Sequence, residues 1–156
     1  MPRSNRHLTQ FAVQKIEEFL RSPEAFQDET KGNTRVELLA REIDGSLREN
    51  LVVTLFGEEI FTAVLNRCRG VEISRIILSG GNFYDGQGRP SRTTRERLNG
   101  LLDYMSTLRV LPEGVRVFIE KDAEECYVGR GLSRVRLDKA NPCISLLANP
   151  SSLLVS

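Results

Sequence analysis

Four arginines, Arg89, Arg92, Arg95 and Arg97, crowd one short stretch of this chain, and Phe83 and Tyr84 lie just before them. A guanidinium is a planar fork that matches phosphate oxygens, and an aromatic face stacks on a base, so the mixture points to nucleic acid. The competing reading is internal pairing. Arg92 and Glu96 stand four apart, as do Arg95 and Asn99, and Asp85 and Asp103 are near in sequence. Basic side chains early in a helix also run against its dipole. A glycine-rich loop precedes the cluster, and a loop entering a helix can offer bare amides to an anion. Gly81 and Gly86 have the first spacing of a P-loop, but Gln87-Gly88 stands where Lys-Ser/Thr is needed, so that motif fails. Asp85-Gly86 is itself a strong turn pair. An anion or nucleotide site over Gly80–Thr94 therefore stays open on amides alone.

Other chemistry has thin support. His7 is the single histidine, near the N-terminus, which argues against acid/base or triad catalysis centred on histidine. Cys68, Cys126 and Cys143 are odd in number and lack a CxxC pair, so neither a zinc site nor a disulfide framework is expected. Cys126 reads as a small core residue. Glu120 and Lys121 are adjacent and would point to opposite faces of a strand, which breaks a nuclease-like carboxylate–lysine set. Asp85, Glu124 and Glu125 could meet a hard cation but read as ordinary surface. The expectation is a binding module rather than an enzyme, with no cofactor and no metal.

The totals agree with a single domain of 156 residues carrying a sizeable core. Apolar residues make 40% and charged residues 28%, ordinary for a globular chain, and with aromatics at 6% the core must rest on Leu, Val and Ile. The net charge of +1 gives no global pull toward polyanions. Lys appears only at Lys15, Lys31, Lys121 and Lys139; the remaining basic side chains are Arg. The polar opening "MPRSNRHLTQ" reads as no export signal, and no apolar run approaches the ~20 residues of a membrane span. A cytoplasmic location and no membrane partner are expected.

The elements that must position these residues follow from periodicity. Leu8, Phe11, Ala12, Ile16, Phe19 and Leu20 mark a one-faced helix from about Asn5 to Arg21, with Ser4 or Asn5 as cap and Ser22-Pro23 as its end. Residues 34–43 fit either a strand or a helix; their Glu, Leu, Ala and Arg content favours helix, stopped by Gly45. "NLVVTLF" and "EIFTAVLN" form a hairpin turning at Gly57-Glu58, and Ile73–Leu78 adds a third strand. Thr93 and Glu96 have capping-box spacing for a helix whose buried stripe is Leu98, Leu101, Leu102, Met105 and Leu108. Asn99, Asp103 and Thr107 face away, and Gly100 marks close packing against a strand. Val115–Glu120 and "CYVGRG" form a second hairpin, Val135 and Leu137 a short strand, and Cys143–Leu147 one more β-capable run.

"LFGEEI", "LSGG", "TTRERLNGLL" and "LPEGVRVFIEKDAEECYV", in that order, resemble a set of short uncharacterised proteins of phages and bacterial mobile elements. The resemblance covers about residues 50 to 128 and implies a shared fold and a mobile-element origin, with no activity attached. Here "YDGQGRPSR" is inserted between the strand end and the Thr pair.

The expected molecule is α+β: an antiparallel sheet of two hairpins plus a connecting strand, packed on a central helix, with residues 1–31 appended to a 34–148 core. Its expected role is nucleic-acid binding through Arg89, Arg92, Arg95 and Arg97 with Phe83 and Tyr84. The alternative is a protein-interaction or self-assembling module, using the N-terminal helix or the tail at Leu153 and Leu154.

Overall fold

The computed structural model describes residues 2–67, 70–79, 84, 91–120, 125–130, 133–137 and 143–147. Helix α1 (Pro2–Arg21) and a 3-10 turn (Pro23–Ala25) precede β1 (Glu29–Lys31), β2 (Thr34–Ile43), β3 (Ser46–Leu55), β4 (Glu58–Arg67) and β5 (Val71–Ser79). Helix α2 (Arg92–Thr107) follows, then β6 (Arg116–Glu120), β7 (Glu125–Arg130), β8 (Ser133–Leu137) and β9 (Cys143–Leu147). The chain is α+β as expected, and its strands divide into two sheets. One is six-stranded, in the order β1-β2-β3-β4-β5-β9, and the other is three-stranded, β6-β7-β8. Every pairing is antiparallel. Helix α1 starts earlier than the caps expected at Ser4 or Asn5, both of which fall inside it.

Residues 34–43 are strand, not helix. The deciding residues are Asp44 and Gly45, with φ of 51° and 80°, which make the two-residue turn that suits the twist of a hairpin. Ile43 then pairs with Ser46, and the ladder runs back to Thr34 opposite Leu55. Val36 meets Val53 and Leu38 meets Leu51 across it, and such pairs outweigh helix propensity. The next hairpin turns on Phe56 and Gly57, with φ of 53° and 81°, one residue before the expected Gly57-Glu58. Glu58 already belongs to β4.

One face of the large sheet carries Val36, Leu51, Val53, Phe61, Ala63, Leu65, Ile76 and Leu78, in one apolar cluster with Ile16 and Phe19 of α1 and Leu98, Leu101 and Met105 of α2. Lys15, itself buried, ties α1 to β1 through Glu29 at 3.2 Å, and its ammonium lies 4.8 Å from the Phe26 ring. The other face is also closed. Val52 and Val64 are buried yet stand outside that cluster. Arg41, near one end of the β2–β3 ladder, reaches Glu59, near the other end, at 2.6 Å. At ~3.3 Å per residue a flat sheet would hold them far beyond side-chain reach. The sheet is therefore strongly coiled, helped by register shifts at Val53/Thr54 and Val64/Leu65.

Helix α2 is capped by Ser91, whose hydroxyl accepts from the Thr94 amide at 3.3 Å, not by the expected Thr93–Glu96 box. Ser91 comes two residues earlier and is in the extended conformation a cap requires. Gly100 marks a helix–helix crossing rather than helix on strand: a Cβ there would sit 2.1 Å from Cγ2 of Thr9 in α1.

Candidate nucleic-acid interface

The three-stranded sheet has unlike faces. Register places Val117, Val128 and Val135 in one row and Ile119, Cys126 and Leu137 in another, all on the side turned to the core. On the outward side the rows are Phe118–Tyr127–Arg136, Arg116–Gly129–Arg134 and, at the end next to Phe118 and Tyr127, Glu120–Glu125. Two half-buried aromatics and three exposed arginines thus share one open face, a consequence of the period of two along each strand.

The geometry on this face is specific. The Phe118 and Tyr127 rings stack side by side, centroids 5.9 Å apart and planes 23° from parallel. The Arg134 guanidinium lies over both, 4.5 Å from the Tyr127 centroid and 5.6 Å from that of Phe118. Gly129, with no side chain, is the residue between Arg116 and Arg134 in their row. Arg136 pairs with Glu125 at 2.6 Å, an exposed pair of small net worth.

Helix α2 fixes this sheet in place. Asn99 does not face away as expected: its amide donates to the Val117 carbonyl at 2.9 Å and accepts from the Val117 amide at 2.7 Å. The side chain imitates a strand partner for β6. It brings Arg95, one turn earlier, beside Arg116 and Phe118 around a hollow of about 360 Å³. Among the described residues the Arg95 guanidinium has no hydrogen bond and no ion pair.

The arginines anticipated from sequence separate. Arg92 pairs with Glu96 at 3.0 Å, as its spacing suggested. Arg95 faces the hollow. Arg97 is fully buried and corrects the expectation of a surface cluster: its guanidinium donates to Thr9, Asn33 and Thr34 and ties α2 to α1 and to the β1–β2 turn. Burial pulls its pKa down, and neighbouring Glu96 pushes it back up. Tyr84 is half-buried, packed against the core. Its hydroxyl donates to the Leu137 carbonyl and accepts from the Cys126 amide, bracing β7 against β8. Arg89 and Phe83 lie outside the described residues, as does most of the Gly80–Thr94 loop.

Phe118, Tyr127, Arg116, Arg134 and Arg136 were not singled out in the sequence. The signal was present in "RVFIE", "CYVGR" and "SRVRL", where Arg116, Phe118, Tyr127, Arg134 and Arg136 alternate with apolar residues. Cys126 is a core residue, as expected: burial raises its thiol to about 11 against a smaller opposing effect of the Arg95 charge, so it stays protonated at neutral pH. Among the described residues no three His, Cys, Asp or Glu side chains gather as metal ligands, and no helix is long and apolar enough to cross a membrane. The site offers two ring faces and arginine charge, with the Glu125 carboxylate held by Arg136.

No protein-family model, curated protein or solved structure matches the chain.

Proposed function

We propose that the chain is a non-enzymatic module, of phage or mobile-element type, that binds single-stranded nucleic acid on the outward face of β6–β8. The observation that carries this reading is the stacked Phe118–Tyr127 pair under the Arg134 guanidinium. Every base has a π-face, so a ring pair on an open sheet accepts bases without regard to sequence, at roughly 1–3 kcal/mol per stacked base. A base stacks on the Arg134 plane or takes its place over the rings; both use unpaired bases, and neither is open to a duplex. Arg95 and Arg116 supply charge for the backbone beside the rings. The part expected of the loop arginines passes to arginines on the sheet, with Arg95 common to both.

Fluorescence anisotropy with labelled single-stranded oligonucleotides tests the reading. Binding is expected to weaken with salt by about 0.7 in log K per log unit for each phosphate neutralised. Tyr127→Ala and Phe118→Ala should each weaken it roughly tenfold, in line with ~1–3 kcal/mol per ring. Both rings are partly exposed on an outer face, so circular dichroism should show the fold retained. Salt-independent binding, or ring variants that bind as well as the parent chain, would overturn the proposal.

A further inference from the structure

Beside the ringed sheet lies a second hollow, of about 640 Å³, between α1 and α2 where they cross at Thr9 and Gly100. Arg6 and Gln10 of α1 line one wall, Glu96 and Asn99 of α2 the other, and Arg116 of β6 closes one end. Asn99 and Arg116 also line the smaller hollow next to Phe118, so the two hollows adjoin at these residues, in a groove that reaches from Phe118 to α1.

The two ends of the groove differ in chemistry. At the sheet it carries the Phe118 ring. Among the described residues no aromatic lines the cleft; Thr9 and Asn99 are engaged by Arg97 and Val117, and the further polar groups besides Glu96 are the guanidiniums of Arg6 and Arg116 and the amide of Gln10. Arg6 has no ion pair among the described residues, and both Arg6 and Gln10 are exposed. Among the described residues the carboxylate lining it is Glu96, already held by Arg92 at 3.0 Å, and Asp103 stands 3.9 Å from Arg116, an exposed and loose pair. Guanidiniums and an amide without rings suit a sugar–phosphate backbone rather than bases.

We infer that a single strand stacked on Phe118 and Tyr127 continues past Arg116 into this cleft, where Arg6 and Gln10 hold its backbone, making α1 part of the interface. The inference rests on the reading of the sheet as a single-strand platform. It makes Arg92 a positioning residue, since its pairing keeps the Glu96 charge from repelling the incoming phosphate.

Anisotropy with a tetranucleotide and a dodecanucleotide, bracketing the roughly 4–16 nucleotides that small single-strand-binding folds occupy, separates the two ideas. Each length is measured as oligothymidylate and as oligouridylate, and binding of either counts. Arg6→Ala combined with Gln10→Ala should weaken dodecanucleotide binding about tenfold and lower its salt slope by about 0.7, the loss of one phosphate contact. Tetranucleotide binding should change less than twofold. Glu96→Gln should tighten the dodecanucleotide alone. A double variant that binds the dodecanucleotide as well as the parent chain, or loses both lengths equally, overturns the α1 interface and leaves the sheet reading in place. Failure of the parent chain to bind either length removes both.

Discussion

Phe56 occupies the first turn position of the β3–β4 hairpin at φ 53°, a left-handed conformation that a bulky L-residue seldom adopts. It is 69% exposed, so its ring gains little from burial there. The amide donates to the Asn33 carbonyl at 2.8 Å, and that bond holds the backbone in place whichever side chain it bears. Asn tolerates this conformation far better. Phe56→Asn should therefore stabilise the fold by about 1 kcal/mol, raising the melting temperature by roughly 2–4 °C for a chain of this size. A lower melting temperature would mean that the ring contributes contacts the turn depends on. Arg97 shows the opposite balance: a charge removed from water is kept because three side-chain oxygens from two other elements receive its donors.

At the scale of elements, the α1–α2 crossing depends on the missing side chain at Gly100. Its replacement by Ala would gain about 1 kcal/mol of helix propensity, but the new Cβ would meet Thr9 Cγ2 at 2.1 Å. Thr9 cannot simply turn away, because its hydroxyl accepts from Arg97 at 2.6 Å. Gly100→Ala alone should lower stability by about 1–3 kcal/mol in urea melts, the usual range for overpacking. Thr9→Ser keeps the hydroxyl and removes Cγ2, so in that background Gly100→Ala should be neutral or stabilising. Equal losses in both backgrounds would place the strain elsewhere. Much of the fold was legible because period and punctuation agreed: both helices, the β3–β4 hairpin, β5, and the β6–β7 hairpin. Strand β2 was not, because Glu, Leu, Ala and Arg pull its local preference toward helix, although Asp44-Gly45 is the stronger signal. The candidate site was legible only in part. Clustering along the chain drew the eye to Arg92, Arg95 and Arg97, yet helical rotation sends them three ways, onto Glu96, into the hollow, and inward. The ring face is assembled across strands, and only register reveals it.

At the scale of the whole molecule, α1 is the element on which fold and proposed function both depend. Phe11, Ala12, Ile16 and Phe19 are buried in the same cluster as α2 and the large sheet. At roughly 1.5–3 kcal/mol for each large side chain fully buried, they rival the ~5–15 kcal/mol that separates a folded domain of ordinary stability from its unfolded ensemble. Their loss would also uncover Leu98, Leu101 and Leu102 and remove the Thr9 oxygen that accepts from Arg97. A chain beginning at Asn33 lacks β1 too, which exposes the edge of β2. Such a chain should lose its cooperative thermal transition and bind a hydrophobic dye such as ANS, while far-ultraviolet circular dichroism still reports strand, the signature of a collapsed state without fixed packing. A sharp transition with little dye binding would instead show that the sheets and α2 suffice for the core, and α1 would then be an attachment available for binding alone. The two outcomes also bear on how Arg6 and Gln10 should be tested. If α1 is structural, only point substitutions on its exposed side can separate its contribution to nucleic-acid binding from its contribution to the fold.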